Sequence, residues 1–344
     1  MKQIHIRVDG NEIIATGHVM RCLSIAEQLR ILGAQVTFVL ADDRPRELIE
    51  CRGFLVDVLD TVWDDLDQEI DIFQNYIKEN GVKVVLLDSY YVTSEYMQMI
   101  ADVTKLIYID DMARFLYPAN TLVSYGAFID EKAYRAPYMM QKTDTTFLLG
   151  SQYVPLREEF SYIPFVVRDE VESVLITTGG TDQLNVAGKL LRRLMNHTMC
   201  CDLDYHVIVG CFNQNKAELL SLQAQYSNIH LHENVTNMSE WMRACDVAIS
   251  AAGTTTYELC ACGIPTICLE IADNQEGAVC WQEKGYMQYA GNAYKDMDEC
   301  LNNCEVTLIN YQSNLEKRQT VSKRMQSLVD GKGAIRIAEH IFNC

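Results

Sequence analysis

The residues with the most chemical potential in this sequence begin at Gly17-His18, which close a loop after the apolar run 4–8 and open a helical pattern. Gly17 tolerates unusual backbone angles and lets a ligand approach closely. A helix N-terminus disfavours the imidazolium form of His18, and a neutral imidazole is a competent general base. A capping or packed histidine fits the same position, and the residues alone leave the two readings even. Asp9, Asp88, Asp110 and Asp111 fall at or just after strand ends. Each is a rival base, or a partner for a loop backbone or a ligand hydroxyl, and Asp9 is placed to orient His18 and raise its basicity.

Two further segments suit a phosphate. Gly179-Gly180-Thr181-Asp182 follows a strand and opens a helix, where backbone N–H groups are free to receive an oxygen. It lacks the dinucleotide and Walker spacings, so an ordinary tight turn fits it equally. Ser250-Ala251-Ala252-Gly253-Thr254-Thr255-Thr256-Tyr257-Glu258-Leu259 is more informative. Its small residues admit a diphosphate to the backbone, its threonines cap a helix or donate to phosphate, and Glu258, one turn inside, can accept both hydroxyls of a ribose. Gly263-Ile264-Pro265 and Ala272-Asp273-Asn274-Gln275 follow downstream.

These segments need parallel sheets to hold them. Short apolar runs alternate with amphipathic stretches throughout, the pattern of βαβ units. Strands are expected at 4–8, 36–40, 55–59, 82–87, 106–109 and 146–150, with Val19, Leu23, Ala26, Leu29 and Leu32 spaced as a helix that stops at Gly33. The stretch 117–141, rich in Tyr, Ala and Pro, reads as irregular. A linker is expected near 162–168. A second series has strands at 173–178, 205–209, 229–232, 247–250 and 266–269, alternating with helices. The expectation is two Rossmann-like α/β halves facing one another across a cleft, 1–165 and 166–330, followed by a final helix in 331–344. In open α/β sheets, ligand binds outside the carboxyl ends of the strands.

A formal net charge of -18 argues against a phosphate-backbone footprint and hence against nucleic acid. It does not exclude a small anion, since helix N-termini supply local positive potential. No run of 18 apolar residues is present, and the N-terminal strand is too quickly charged for a signal-peptide core, so a cytoplasmic protein with no membrane insertion is expected. Thirteen scattered cysteines without paired CxxC motifs point to free thiols rather than a metal site.

Arg7-Val8-Asp9 with Gly17-His18-Val19-Met20-Arg21-Cys22-Leu23, then Gly179-Gly180-Thr181-Asp182, then Ser250 to Leu259 and Gly263-Ile264-Pro265-Thr266, closely resemble the UDP-2,4-diacetamido-2,4,6-trideoxy-β-L-altropyranose hydrolases of the pseudaminic acid pathway. The second half is similar to the UDP-binding domain of the peptidoglycan N-acetylglucosaminyltransferase. The resemblance implies a GT-B fold with the C-terminal helix crossing back to the first domain, and an inverting, metal-independent hydrolase that uses a small-molecule UDP-sugar and no cofactor. It implies His18 as the base that activates water, and a UDP-sugar site drawing on Gly253, Thr254, Thr255, Glu258, Asn274 and Gln275. It also carries Gly17, Arg21, Gly180 and Thr181 as ligand contacts. Arg157, in a segment like the family's interdomain one, becomes a diphosphate or sugar contact. Asp88 and Tyr91 belong to a motif, Asp88-Ser89-Tyr90-Tyr91, that lines the sugar side. The chain departs from the family at Ala15, where glycine is usual, and at Leu122-Val123-Ser124-Tyr125-Gly126, which lacks an Asn-rich pattern. Two alternatives share the UDP half: a GT-B glycosyltransferase that needs an acceptor, and a catalytically silent nucleotide-sugar-binding subunit of surface-polysaccharide assembly. Oligomeric state stays open.

Overall fold

The structure is a computed structural model that describes residues 2–14, 16–161, 164, 166–272, 275 and 277–344. The chain forms two compact units, Met1–Glu158 with Gly331–Cys344, and Glu159–Asp330.

The first unit runs β1 (Lys2–Val8), α1 (Gly17–Ile31), β2 (Ala34–Leu40), α2 (Arg46–Glu50), β3 (Leu55–Val58), α3 (Ile70–Glu79), β4 (Val84–Asp88), α4 (Ser94–Ala101), β5 (Lys105–Ile109), β6 (Thr121–Ser124), α5 (Glu131–Gln141) and β7 (Thr146–Leu149). Its seven strands are all parallel, in the order β3-β2-β1-β4-β5-β6-β7. β4 is buried along its whole length, as a strand covered on both faces must be. The order reverses between β1 and β4. Connections leaving these two strands diverge, and a crevice opens at their carboxyl ends.

The stretch 117–141 is more regular than its composition suggested. It contains β6, four buried residues that extend the sheet, and α5, whose N-cap Asp130 accepts from the amides of Lys132 and Ala133 at 3.0 Å each. Pro137 sits inside α5, where it removes one helical hydrogen bond. Tyr138 offsets this by packing on Phe147, ring centres 5.2 Å apart, while its hydroxyl accepts from the Tyr117 amide.

The second unit runs β8 (Ser173–Thr177), α6 (Val186–Met195), β9 (Asp204–Val209), α7 (Lys216–Gln225), β10 (Ile229–Glu233), α8 (Met238–Ala244), β11 (Val247–Ala251), α9 (Thr255–Cys262), β12 (Thr266–Glu270), α10 (Val279–Glu283), β13 (Gln288–Asn292), α11 (Met297–Ser313) and α12 (Leu315–Leu328). Its six parallel strands lie in the order β10-β9-β8-β11-β12-β13, so the order reverses between β8 and β11. The edge pair β9 and β10 carries His206, His230 and His232 beside Trp241 of α8. His206 Nδ1 and His232 Nε2 are 3.0 Å apart.

After α12 the chain re-enters the first unit as α13 (Gly333–Asn343), which packs on α1 and buries Ile337, Ala338 and Ile341. Gly333 lies so close to β7's following turn that an added Cβ would stand 2.1 Å from the Val154 carbonyl oxygen. No helix among the described residues is long and apolar enough to cross a membrane. All thirteen cysteines are free thiols.

Candidate functional site

His18 lies in the first turn of α1 and retains 7% of its surface. Its Nδ1 is 2.6 Å from Oδ1 of Asp88, the last residue of β4. Arg21, one turn along α1, forks the same carboxylate through Nε and Nη2, and the Cys22 thiol donates to Oδ2 at 3.5 Å. Burial alone would raise the Asp88 carboxyl, but Arg21 and then His18 overcome it and hold the group below the usual carboxylate range. A carboxylate kept charged must accept, so His18 donates to it from Nδ1, beside Arg21 Nη2 at 3.0 Å, and a neutral ring held this way carries its lone pair on Nε2. Nε2 takes no hydrogen bond among the described residues. The result is an oriented imidazole with a free basic nitrogen, at the place where β1 and β4 diverge.

A second ring of groups fixes Arg21. Its Nη1 donates to Asp111 Oδ2 at 2.7 Å and to the Tyr125 hydroxyl. Tyr90 stands edge-on to the His18 ring, centres 4.4 Å apart, and donates to Asp111 at 3.1 Å. Burial, helped by Asp111, pushes the Tyr90 hydroxyl up to about 12, so it stays protonated as that donor. Tyr90 and Tyr125 went unassigned in the sequence. The signal for Tyr90 was its place in Asp88-Ser89-Tyr90-Tyr91, where the turn sends it, and not Tyr91, towards His18.

Asp9 does not orient His18, contrary to expectation. It accepts from Arg7 at 2.6 Å and from the Ala41 amide at 2.8 Å. The Arg7 guanidinium also forks Glu69 at 2.9 Å through each of two nitrogens, and Tyr96 and Thr61 donate to Glu69 at 2.7 Å each. Strand alternation explains the difference. Arg7 and Asp9, two residues apart, face the α3 and α4 side. Val8 faces the other way, and its register partner is Asp88. Asp110 is likewise spent elsewhere, accepting from the amides of Met112 and Ala113 in its own loop and from the Tyr134 hydroxyl of α5.

Around this centre, Gly17 has open space where a Cβ would be, with no atom within 4 Å. Tyr91 is exposed and meets Trp63 rather than His18. Arg157 is half-buried, just ahead of the single turn Glu158–Phe160.

In the second unit the two glycine- and threonine-bearing loops leave β8 and β11, the strands that flank its own reversal of order. The first is only partly open. Asp182 is buried and accepts from the amides of Val186 and Ala187 at 2.8 and 3.1 Å, so α6 is already capped. The amides of Gly179, Gly180 and Thr181 take no hydrogen bond among the described residues, and the three residues are exposed. This loop lies on Gly210, where an added Cβ would stand 2.3 Å from the Gly180 oxygen.

The second loop is open at its helix. The amides of Gly253, Thr254 and Thr255 take no hydrogen bond among the described residues, while Thr256 turns back on the Gly253 carbonyl at 2.7 Å. Gln275 accepts from the Ile271 amide at 2.9 Å and lays its amide over Gly253. Glu258 is half-buried on the first turn of α9. Asn274 lies outside the described residues, as do Ala15 and most of the apolar residues of the expected linker, Tyr162, Ile163 and Phe165. No group of three or more His, Cys, Asp or Glu among the described residues is arranged to hold a metal ion.

Residues 173–280 match the glycosyltransferase family 28 C-terminal domain. An uncharacterized protein of Methanocaldococcus jannaschii is 27% identical over 277 residues, 78% of this chain and 55% of its own length. The pseudaminic acid cytidylyltransferase and UDP-2,4-diacetamido-2,4,6-trideoxy-beta-L-altropyranose hydrolase of Helicobacter pylori is 26% identical, over 75% of this chain and 42% of its own. The chain thus spans about half the length of these two relatives. The spore coat polysaccharide biosynthesis protein SpsG of Bacillus subtilis is 22% identical over 97% of this chain and 96% of its own. Among solved structures, MurG of Acinetobacter baumannii superposes with a TM-score of 0.69 at 14% identity, all of both chains being covered. The fold is GT-B, and the second unit resembles the domain type of family 28 glycosyltransferases.

Proposed function

We propose that this chain hydrolyses a UDP-linked diacetamido-trideoxy sugar at its anomeric carbon, with inversion, releasing UDP and the free sugar. The observation that carries this reading is the Asp88–His18 pair with its free Nε2. Nε2 takes a proton from water as the water oxygen bonds to the anomeric carbon. The bond from that carbon to the diphosphate oxygen breaks on the opposite face, and its electron pair leaves with UDP. A nucleotide diphosphate is a good leaving group, so no second carboxylic acid is required to protonate it. Within the second unit, the unpartnered amides of residues 253–255 and 179–181 are donors of the kind that receives a diphosphate. The hydrolase activity named for the Helicobacter relative and the family 28 match of the second unit both support a nucleotide-sugar substrate.

The family 28 match also favours a second reading, a glycosyltransferase that passes the sugar to an acceptor. Incubation with the altro-configured diacetamido UDP-sugar and no acceptor separates the two. Stoichiometric UDP and free sugar of inverted anomeric configuration, followed by NMR and lost by about 10²–10⁴-fold in His18→Ala, is the result expected of the hydrolase. An inert substrate that turns over only with an added acceptor overturns it.

A further inference from the structure

Two aromatic side chains at the carboxyl edge of the first unit have no part in the reaction above. Trp63 and Tyr91 meet edge to face, ring centres 5.1 Å apart and planes at 87°. Tyr91 is 37% exposed, Trp63 is half-buried, and the exposed Val62 precedes Trp63 in the chain. Apolar surface kept in water is unfavourable until something covers it.

The pair is also held in place. The chain entering Trp63 is fixed to the end of β2, with the Leu59 amide donating to Leu40 and the Thr61 amide to Ala41, each at 2.9 Å. The Thr61 hydroxyl donates to the fully buried Glu69 at 2.7 Å. Beyond Trp63, the Thr93 hydroxyl donates to Asp67 at 2.6 Å and ties this segment to the one that carries Tyr91. The segment therefore bridges from the end of β2 to the end of β4, across the reversal of strand order. Tyr91 follows Tyr90, whose ring stands edge-on to His18, by one Cα step of about 3.8 Å.

The polar tips of the pair are uncommitted. Neither the Trp63 indole N–H nor the Tyr91 hydroxyl takes a hydrogen bond among the described residues. The hydroxyls of Tyr90, Tyr96, Tyr108 and Tyr125 are all engaged. A fixed aromatic surface with free polar tips suits a ligand that is apolar on one face and carries acceptors at its rim.

We propose that Trp63 and Tyr91 form the platform that selects the sugar, receiving the methyl-bearing face of a 6-deoxy, N-acetylated pyranose. The ring and acetamido methyls cover the aromatic surface, and the acetamido oxygens accept from the indole N–H and the Tyr91 hydroxyl. The identity of the sugar nucleotide rests on the hydrolase reading; the platform itself requires only that a sugar nucleotide bind. A single methyl in an apolar pocket discriminates roughly 10- to 200-fold, so UDP-N-acetylglucosamine, with its 6-hydroxyl and single acetamido group, is the disfavoured comparison.

The test titrates wild type, Trp63→Phe and Trp63→Ala with UDP, UDP-N-acetylglucosamine and the diacetamido-trideoxy UDP-sugar, reading tryptophan emission and affinity. The expected result is a Trp63-dependent emission change with the diacetamido sugar but not with UDP. Trp63→Ala should weaken that sugar at least tenfold while leaving UDP affinity at the wild-type value, and Trp63→Phe should recover part of the loss. Equal affinity of wild type and Trp63→Ala for the diacetamido sugar, or an equal loss for UDP, overturns the platform. Trp63-dependent binding without sugar release by wild type overturns the hydrolase reading and leaves the platform standing.

Discussion

Asp88→Asn removes one charge from the centre of the site with almost no change in volume. Asp88 Oδ1 stands 2.6 Å from His18 Nδ1 and is fully buried, so no water can take its place. An amide nitrogen in that position donates to Nδ1, which then accepts, and the imidazole proton moves to Nε2. The nitrogen facing the water loses its lone pair. A carboxylate-to-amide change behind a catalytic histidine costs about 10⁴-fold in kcat where a triad has been tested, and loss of a general base costs about 10²–10⁴-fold. At 1.36 kcal/mol per decade the barrier rises by about 3–5 kcal/mol. Breaking a buried ion pair also costs about 3–5 kcal/mol of stability. Here the lower end applies, because Arg21 keeps Asp111 and Tyr125. The assay is acceptor-free UDP release at saturating substrate, with thermal unfolding to correct for the folded fraction and imidazole ¹⁵N spectra to read the tautomer. A folded variant within threefold of wild-type kcat refutes the reasoning, as does an inactive one whose His18 still carries its proton on Nδ1.

Asp9→Asn should do the reverse. It leaves the His18 tautomer and per-molecule kcat within a few-fold, but strips Arg7 of a buried partner and lowers stability by about 3–5 kcal/mol in denaturant titration. Gly210→Ala drives a methyl into the Gly179–Gly180 backbone and should weaken UDP binding by calorimetry at least tenfold, at an overpacking cost of about 1–3 kcal/mol. The second unit should lose stability in mild acid. Burial first, then His206 and His230, lower the His232 imidazole from 6.5 to about 4. The nearby His206 is also lowered by burial and His230, against the opposing pull of Asp204. The unfolded chain binds protons that the folded one refuses between these values, so stability is complete above about pH 6.5 and is lost as pH falls towards 4. Denaturant midpoints at pH 7.5 and 5.0 should separate in wild type and draw together in His232→Gln.

The parallel sheets were legible because βαβ periodicity is local, and His18 was legible because a glycine-histidine pair after an apolar run marks a strand-to-helix turn. Its partner was not. Choosing between Asp9 and Asp88 requires knowing that β4 lies beside β1 with Asp88 opposite Val8, and register between segments 80 residues apart leaves no trace in a single sequence. The choice between Tyr90 and Tyr91 depends on one turn. The region 117–141 misled because Pro137 reads as a helix breaker, whereas Asp130 capping and the packing of Tyr138 on Phe147 hold the helix around it.

The return of residues 331–344 to the first unit bears on how the protein is made. A ribosome adds about 5–20 residues per second. It delivers the strands of the first unit early, but α13 only after the whole of residues 159–330, a delay of roughly ten to thirty-five seconds at that rate. Through that interval the face of α1 that later covers Ile337 and Ile341 stays open on the nascent chain. The second unit, contiguous in sequence, has its complete core first. The half that holds His18 is therefore the last to close, and it is the half most exposed to chaperones and to off-pathway association during synthesis.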